Sequence, residues 1–169
     1  WRTNQLAIVN AIMARKDVVV TMPTGGGKSL CYQVPALAQE GVTVVIQPLI
    51  SLIEDQMMIL TGLDISCAFL CSKEYNGQWG TTDFEGVMND IRASPCRLKV
   101  LFVTPERLAQ STYVLNRFSE LERLNLLSMF VVDECHCVSQ WGHEFRPMYK
   151  ELSKLKEYLP NVPILALTA

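Results

Sequence analysis

Apolar residues in this chain fall into two alternating patterns. Short, nearly unbroken runs rich in β-branched side chains occupy Val18–Met22, Val42–Ile46, Val100–Val103, Met129–Val132 and Ile164–Leu167, with a weaker run from Ser66 to Leu70. Such runs predict strands buried on both faces of a parallel sheet, since neither face can then tolerate polar side chains. Between them, apolar residues recur three and four apart. The groups are Leu6, Val9 and Met13; Leu52, Ile53, Met57 and Leu60; Phe84, Val87, Met88 and Ile91; Val114, Leu115, Phe118 and Leu121; and Tyr149, Leu152, Leu155 and Leu159. Each group lines one face of a predicted helix. Strand and helix alternating over residues 1–169 predict one α/β domain, a mainly parallel sheet with helices on both faces. A further helix over Lys28–Gln39 carries Pro35, which should kink or end it. Residues 71–82, with Gly77 and Gly80, read as a loop.

Composition narrows the classes. The 169 residues are 49% hydrophobic and 19% charged, which excludes a disordered tail, a collagen-like fibre and a disulfide-stapled miniprotein. Fifteen basic against seventeen acidic residues, a net charge of −2, exclude nucleic-acid binding by bulk charge and leave only a local basic or aromatic site. A mean hydropathy of +0.17 predicts apolar surface that belongs against something else. The six cysteines show no framework spacing and predict free thiols in a reducing compartment. Zinc on Cys135, Cys137 and His143, or on Cys67 and Cys71, would lack a complete four-ligand set. No apolar run approaches the ~20 residues of a membrane span, so a soluble protein without a membrane partner is expected. The chain opens on Trp1 and stops at Leu167-Thr168-Ala169, so a piece of a longer protein is expected.

Chemistry enters after the first strand, at Met22-Pro23-Thr24-Gly25-Gly26-Gly27-Lys28-Ser29. Consecutive glycines let successive N–H groups turn inward on a phosphate chain, and the following helix N-terminus adds positive potential. Lys28 can reach the outer phosphates and Ser29 suits Mg²⁺. The strict P-loop pattern fails only in having Met22 where its first Gly belongs. At the end of a later strand, Val132-Asp133-Glu134-Cys135-His136 supplies the second half. Asp133 there can hold Mg²⁺ through water, and Glu134 can polarise the water that attacks the γ-phosphate. Together these predict nucleoside-triphosphate hydrolysis.

Cys135-His136-Cys137-Val138-Ser139-Gln140-Trp141-Gly142-His143-Glu144-Phe145-Arg146-Pro147, following Asp133-Glu134, closely resembles the RecQ DNA helicases, of the DExH type in superfamily 2. The resemblance covers nearly the whole chain. Trp1–Gln5 is similar to motif 0, Met22–Gln33 to motif I, and Pro48–Gln56 to motif Ia. Val103–Leu108 is similar to motif Ib and Ala166–Ala169 to the start of motif III. It departs at Cys135, Glu144 and Met148, at Gln47 where a small residue is usual, and over residues 71–83.

The resemblance implies the first RecA-like lobe of an ATP-dependent, 3′-to-5′ helicase that couples Mg·ATP hydrolysis to single-strand translocation and duplex unwinding. It places Arg2 and Gln5 at the base, Thr24, Gly25, Gly26, Gly27, Lys28 and Ser29 at the phosphates, and Ser29 and Asp133 at Mg²⁺. Lys28, Asp133, Glu134 and His136 are the implied catalytic residues. Pro48, Ser51, Thr104, Gln140, Trp141, Phe145 and Arg146 are the implied DNA-binding or coupling residues. The implied partners are single-stranded and partly duplex DNA and a second lobe bearing an arginine finger, worth roughly 10³–10⁵ in rate. Alone, the lobe is expected to bind ATP and hardly hydrolyse it. The location implied is the nucleus in a eukaryote, the cytoplasm otherwise.

The residues themselves leave alternatives open. A Gln amide complements adenine's donor–acceptor edge, or is simply solvated. Trp141 and Phe145 stack on unpaired bases, or anchor a core. His136 couples ATP to DNA, or is a satisfied buried histidine. A P-loop kinase or GTPase should show an arginine-rich lid or an Asn-Lys-x-Asp signature, and neither is present. A non-enzymatic interaction module on the same fold is the remaining alternative.

Overall fold

Alternation along each strand splits the core into two layers. The computed structural model describes residues 1–71, 75–109, 112–138 and 146–169. Among them, β1 (Val18–Thr21), β2 (Val42–Ile46), β3 (Cys67–Leu70), β4 (Gly80–Thr81), β5 (Val100–Val103), β6 (Leu127–Val132) and β7 (Ile164–Thr168) form one sheet. Its order is β1-β7-β6-β2-β5-β3-β4 and every pairing is parallel. Val45, Phe102 and Val131 point to the layer of α1 (Gln5–Met13), α2 (Leu30–Ala38) and α3 (Ile50–Gly62). Val44, Leu101 and Phe130 point to the layer of α4 (Phe84–Arg92), α5 (Pro105–Ala109), α6 (Thr112–Arg123) and α7 (Lys154–Tyr158).

The predicted α/β class and the six strand runs are present, and four details differ. The buried face of α1 is Gln5, Ile8, Val9 and Ile12, while Leu6 and Met13 are exposed. The helix is turned by one position because Ile8, Val9 and Ile12 set the buried face, which brings the Gln5 amide inward to the glycine loop. Pro35 does not end α2, which runs on to Ala38. Burial of Pro35 and Ala36 offsets the missing ladder bond. The predicted helix over Tyr149–Leu159 is a 3₁₀ segment, Pro147–Ser153, followed by the short α7, yet it buries the same four apolar residues. Within the predicted loop, Gly80 and Thr81 add β4 to the edge beside β3.

Because all strands run the same way, their carboxyl ends share one edge. Backbone bonds carry the register past the strands there. Met22 N–H donates to Thr168, Gln47 N–H to Val103 and Asp133 N–H to Ile46, each at 3.0 Å. Ligands of open parallel sheets sit beyond this edge.

Candidate active site

Two half-sites stand on that edge. The first follows β1. Gly25 and Gly27 have φ of +74° and +91°, a region that strains any residue with a Cβ. At Gly26 an added Cβ would lie 2.5 Å from Met22 Cγ and 2.7 Å from the Pro23 carbonyl oxygen. The loop curls because only glycine fits it. Lys28 Nζ reaches back across it to donate to the Met22 carbonyl at 2.9 Å. Two N-terminal residues brace it from outside. Arg2 donates from its guanidinium to the Gly25 carbonyl, and Gln5 Nε2 donates to the Gly27 carbonyl at 3.1 Å. Gln5 Oε1 accepts from the Arg2 N–H at 2.7 Å, so this amide, only 2% exposed, is engaged at both ends.

The second half-site follows β6. Asp133 Oδ1 accepts from the Glu134 N–H at 2.9 Å and Oδ2 from Gln47 Nε2 at 2.8 Å. Burial pushes the Asp133 carboxyl above its ordinary value, and the Glu134 charge adds to this. The Glu134 N–H, the Lys28 charge and Gln47 act in the other direction. The Asp133 carbonyl accepts from the Tyr149 hydroxyl at 2.8 Å. Burial holds that phenol far above its usual range, so it stays a neutral donor.

Glu134 has φ +51°, a left-handed conformation that costs a non-glycine residue about 1–2 kcal/mol. The tight turn it makes is closed by a bond from the Cys137 N–H to its carbonyl at 3.0 Å. His136 Nδ1 lies 2.9 Å from Thr168 Oγ1 and 3.3 Å from Glu134 Oε2. A glutamate carboxylate can only accept, so the hydrogen that meets Glu134 is carried by Nδ1.

Beside the half-sites opens a cleft of about 800 Å³, lined in part by Thr24, Pro48, Glu134, His136 and Arg146, with neither Lys28 nor Asp133 in its wall. Ser51 is exposed in the first turn of α3, and Thr104 caps α5, its hydroxyl accepting from the Arg107 N–H at 3.4 Å. Arg146 lies 3.9 Å from Glu106. Gln140, Trp141 and Phe145, and the zinc candidate His143, lie outside the described residues. Among the described residues, no three His, Cys, Asp or Glu side chains gather as metal ligands.

The residues present fit a phosphate chain with a hard cation. The glycine cradle excludes a Cβ, Lys28 Nζ reaches back across it, and a serine hydroxyl and a carboxylate are the kinds of donor that hold Mg²⁺ with several waters kept. Three residues of this network escaped sequence reasoning. Gln47 stood out only as a departure from a pattern, and Tyr149 only as a core position. Gln56, whose Oε1 accepts from Gln33 Nε2 at 3.1 Å and ties α2 to α3, stood out only as the end of the stretch resembling motif Ia.

Comparison with known proteins bears on this geometry. A family model described as DEAD/DEAH box helicase matches residues 2–169. Over 169 residues the chain is 48% identical to ATP-dependent DNA helicase Q-like 4B of Arabidopsis thaliana, all of it aligning with 14% of that protein. It is 47% identical to ATP-dependent DNA helicase Q1 of Rattus norvegicus, all of it aligning with 26% of that protein. It is 46% identical to RecQ-like DNA helicase BLM of Xenopus laevis, all of it aligning with 12% of that protein. The chain thus spans about an eighth to a quarter of these relatives. The crystal structure of the DUF1998 helicase MrfA superposes with a TM-score of 0.71 over 99% of this chain and 26% of that one. At 20% identity that likeness speaks for the fold alone. The chain therefore belongs to the DEAD/DEAH box helicase family, and its 42–48% identity to RecQ-type helicases sets it beside them.

Proposed function

We propose that the chain is the ATP-binding lobe of a RecQ-like 3′-to-5′ DNA helicase, coupling nucleotide hydrolysis to movement along single-stranded DNA and unwinding of partly duplex DNA. The observation that carries this is the placement of the glycine loop after β1 and the Asp133–Glu134 turn after β6 on one carboxyl edge of the parallel sheet.

Thr24 and the N–H groups of Gly25, Gly26 and Gly27 bind the phosphates, and Lys28 exchanges the Met22 carbonyl for a phosphate oxygen. Ser29 and Asp133 would hold Mg²⁺, which when bound neutralises charge developing on the transferred phosphoryl group. Glu134, fixed by its left-handed turn, orients the attacking water and accepts its proton. His136 Nδ1–H, shared between Glu134 and Thr168, fixes the angle of that carboxylate. Arg2 and Gln5 brace the phosphate loop, and would meet the base by exchanging those bonds for it.

Pro48, Ser51, Thr104, Gln140, Trp141, Phe145 and Arg146 would bind DNA or couple its binding to hydrolysis. A second RecA-like lobe completes the cleft with an arginine finger, and without it hydrolysis is slow. No helix among the described residues is long and apolar enough to cross a membrane. A DNA substrate places the protein in the nucleus of a eukaryotic cell, or otherwise in the cytoplasm.

The test is calorimetric titration with a non-hydrolysable ATP analogue and Mg²⁺. Lys28→Ala removes a charge-assisted bond to phosphate, so affinity should fall about 10- to 100-fold. Equal binding by the two proteins would refute the reading.

A further inference from the structure

Gln47 follows β2 directly and is 3% exposed. A buried primary amide costs free energy unless its donors and acceptor are paired. Here the pairing also fixes its direction. Oε1 accepts from the Leu49 N–H at 3.3 Å, a backbone group that can only donate. The amide therefore cannot flip, and its NH₂ end must face Asp133, where Nε2 donates to Oδ2 at 2.8 Å. The backbone holds the same two residues side by side. The Gln47 N–H is bonded to Val103, and the Asp133 N–H to Ile46, each at 3.0 Å. With Glu134 N–H on Oδ1, the carboxylate plane is held at both oxygens.

On its other side, Gln47 leads straight into Pro48 and Leu49, which line the cleft. One side chain thus bridges the carboxylate and the turn beside the proposed DNA track. Partners of this kind, behind a metal-holding carboxylate, set its orientation and basicity.

We propose that Gln47 is a positioning residue that aims the Asp133 carboxylate at nucleotide-bound Mg²⁺ and ties that aim to the Pro48–Leu49 turn. The inference rests on the assignment of Asp133 made under Proposed function. Its role is separable from support of the fold, because a merely structural amide would affect stability without affecting how much Mg²⁺ strengthens nucleotide binding.

The experiment measures binding of a fluorescent, non-hydrolysable ATP analogue to the 169-residue chain, in Mg²⁺ and in EDTA. Thermal melts accompany each protein. Gln47→Met keeps the length and loses both bonds; Gln47→Asn keeps the amide and loses the reach. In each variant the strengthening by Mg²⁺ should fall about tenfold, with affinity in EDTA within about twofold of the unsubstituted chain. An unchanged Mg²⁺ effect in a folded variant would overturn the proposal. Loss of the cooperative melt in both variants would assign Gln47 to the fold instead, and overturn it too. If the unsubstituted chain does not bind the analogue, or binds it without regard to Mg²⁺, the reading of the site fails first and this inference with it.

Discussion

The half-site after β1 is made of backbone, and the half-site after β6 is made of side chains. In the first, shape comes from three neighbouring glycines whose dihedrals and close contacts admit no Cβ, and distant residues only brace carbonyls from outside. In the second, Gln47 from far along the chain aims the Asp133 carboxylate, Tyr149 holds the backbone carbonyl of Asp133, and His136, two residues on, meets Glu134. The contrast suits the ligands proposed for each. A phosphate chain is satisfied by a row of N–H donors, which local backbone supplies. A hydrated cation and a reacting water need carboxylates at fixed angles, and angle is set by partners across a sheet.

Substitutions should therefore fail differently at the two places. The largest effect is expected for Gly26→Ala, where the new methyl would meet both the Met22 side chain and the Pro23 carbonyl. Nucleotide binding should fall more than about 100-fold, and overpacking should cost about 1–3 kcal/mol of stability by denaturant titration. Normal binding by this variant would break the comparison, since the first half-site would then not depend on backbone shape. A smaller effect is expected for Tyr149→Phe, which leaves the Asp133 carbonyl without its hydroxyl donor. Stability should fall by about 1–3 kcal/mol, the cost of an unsatisfied buried acceptor. Affinity for nucleotide in EDTA should not change, because no phosphate contact is touched. Loss of binding in EDTA would show that the two half-sites are not separable in this way.

The same contrast governs how much was legible beforehand. The glycine loop could be read from eight adjacent residues, because its geometry is dictated by residue types next to one another. The Asp133–Glu134 turn was readable as chemistry, but its support was not. Gln47 lies 86 residues from Asp133 in the chain, and no local pattern links them. Tyr149 follows an apolar period, and only the fold shows that its hydroxyl reaches the Asp133 carbonyl. Helix faces followed the same logic. Phe84, Val87, Met88 and Ile91 on α4 are all buried as their spacing predicts. On α1 the polar Gln5 takes a buried place that periodicity gave to Leu6, because Ile8, Val9 and Ile12 set the buried face and the amide is paired there at both ends. The parallel sheet was legible from its apolar runs, except for β4 inside the predicted loop and for the outer face of β1, where Val19 is exposed.

The central claim is that the two half-sites form one nucleotide site, with Asp133 serving the cation. The most direct measurement is the affinity of the 169-residue chain and of Asp133→Ala for an ATP analogue, each in Mg²⁺ and in EDTA. The account predicts equal affinity in EDTA and a strengthening by Mg²⁺ that only the unsubstituted chain shows, about tenfold or more. An Asp133→Ala chain that binds the Mg²⁺ complex as tightly as the unsubstituted one would contradict it.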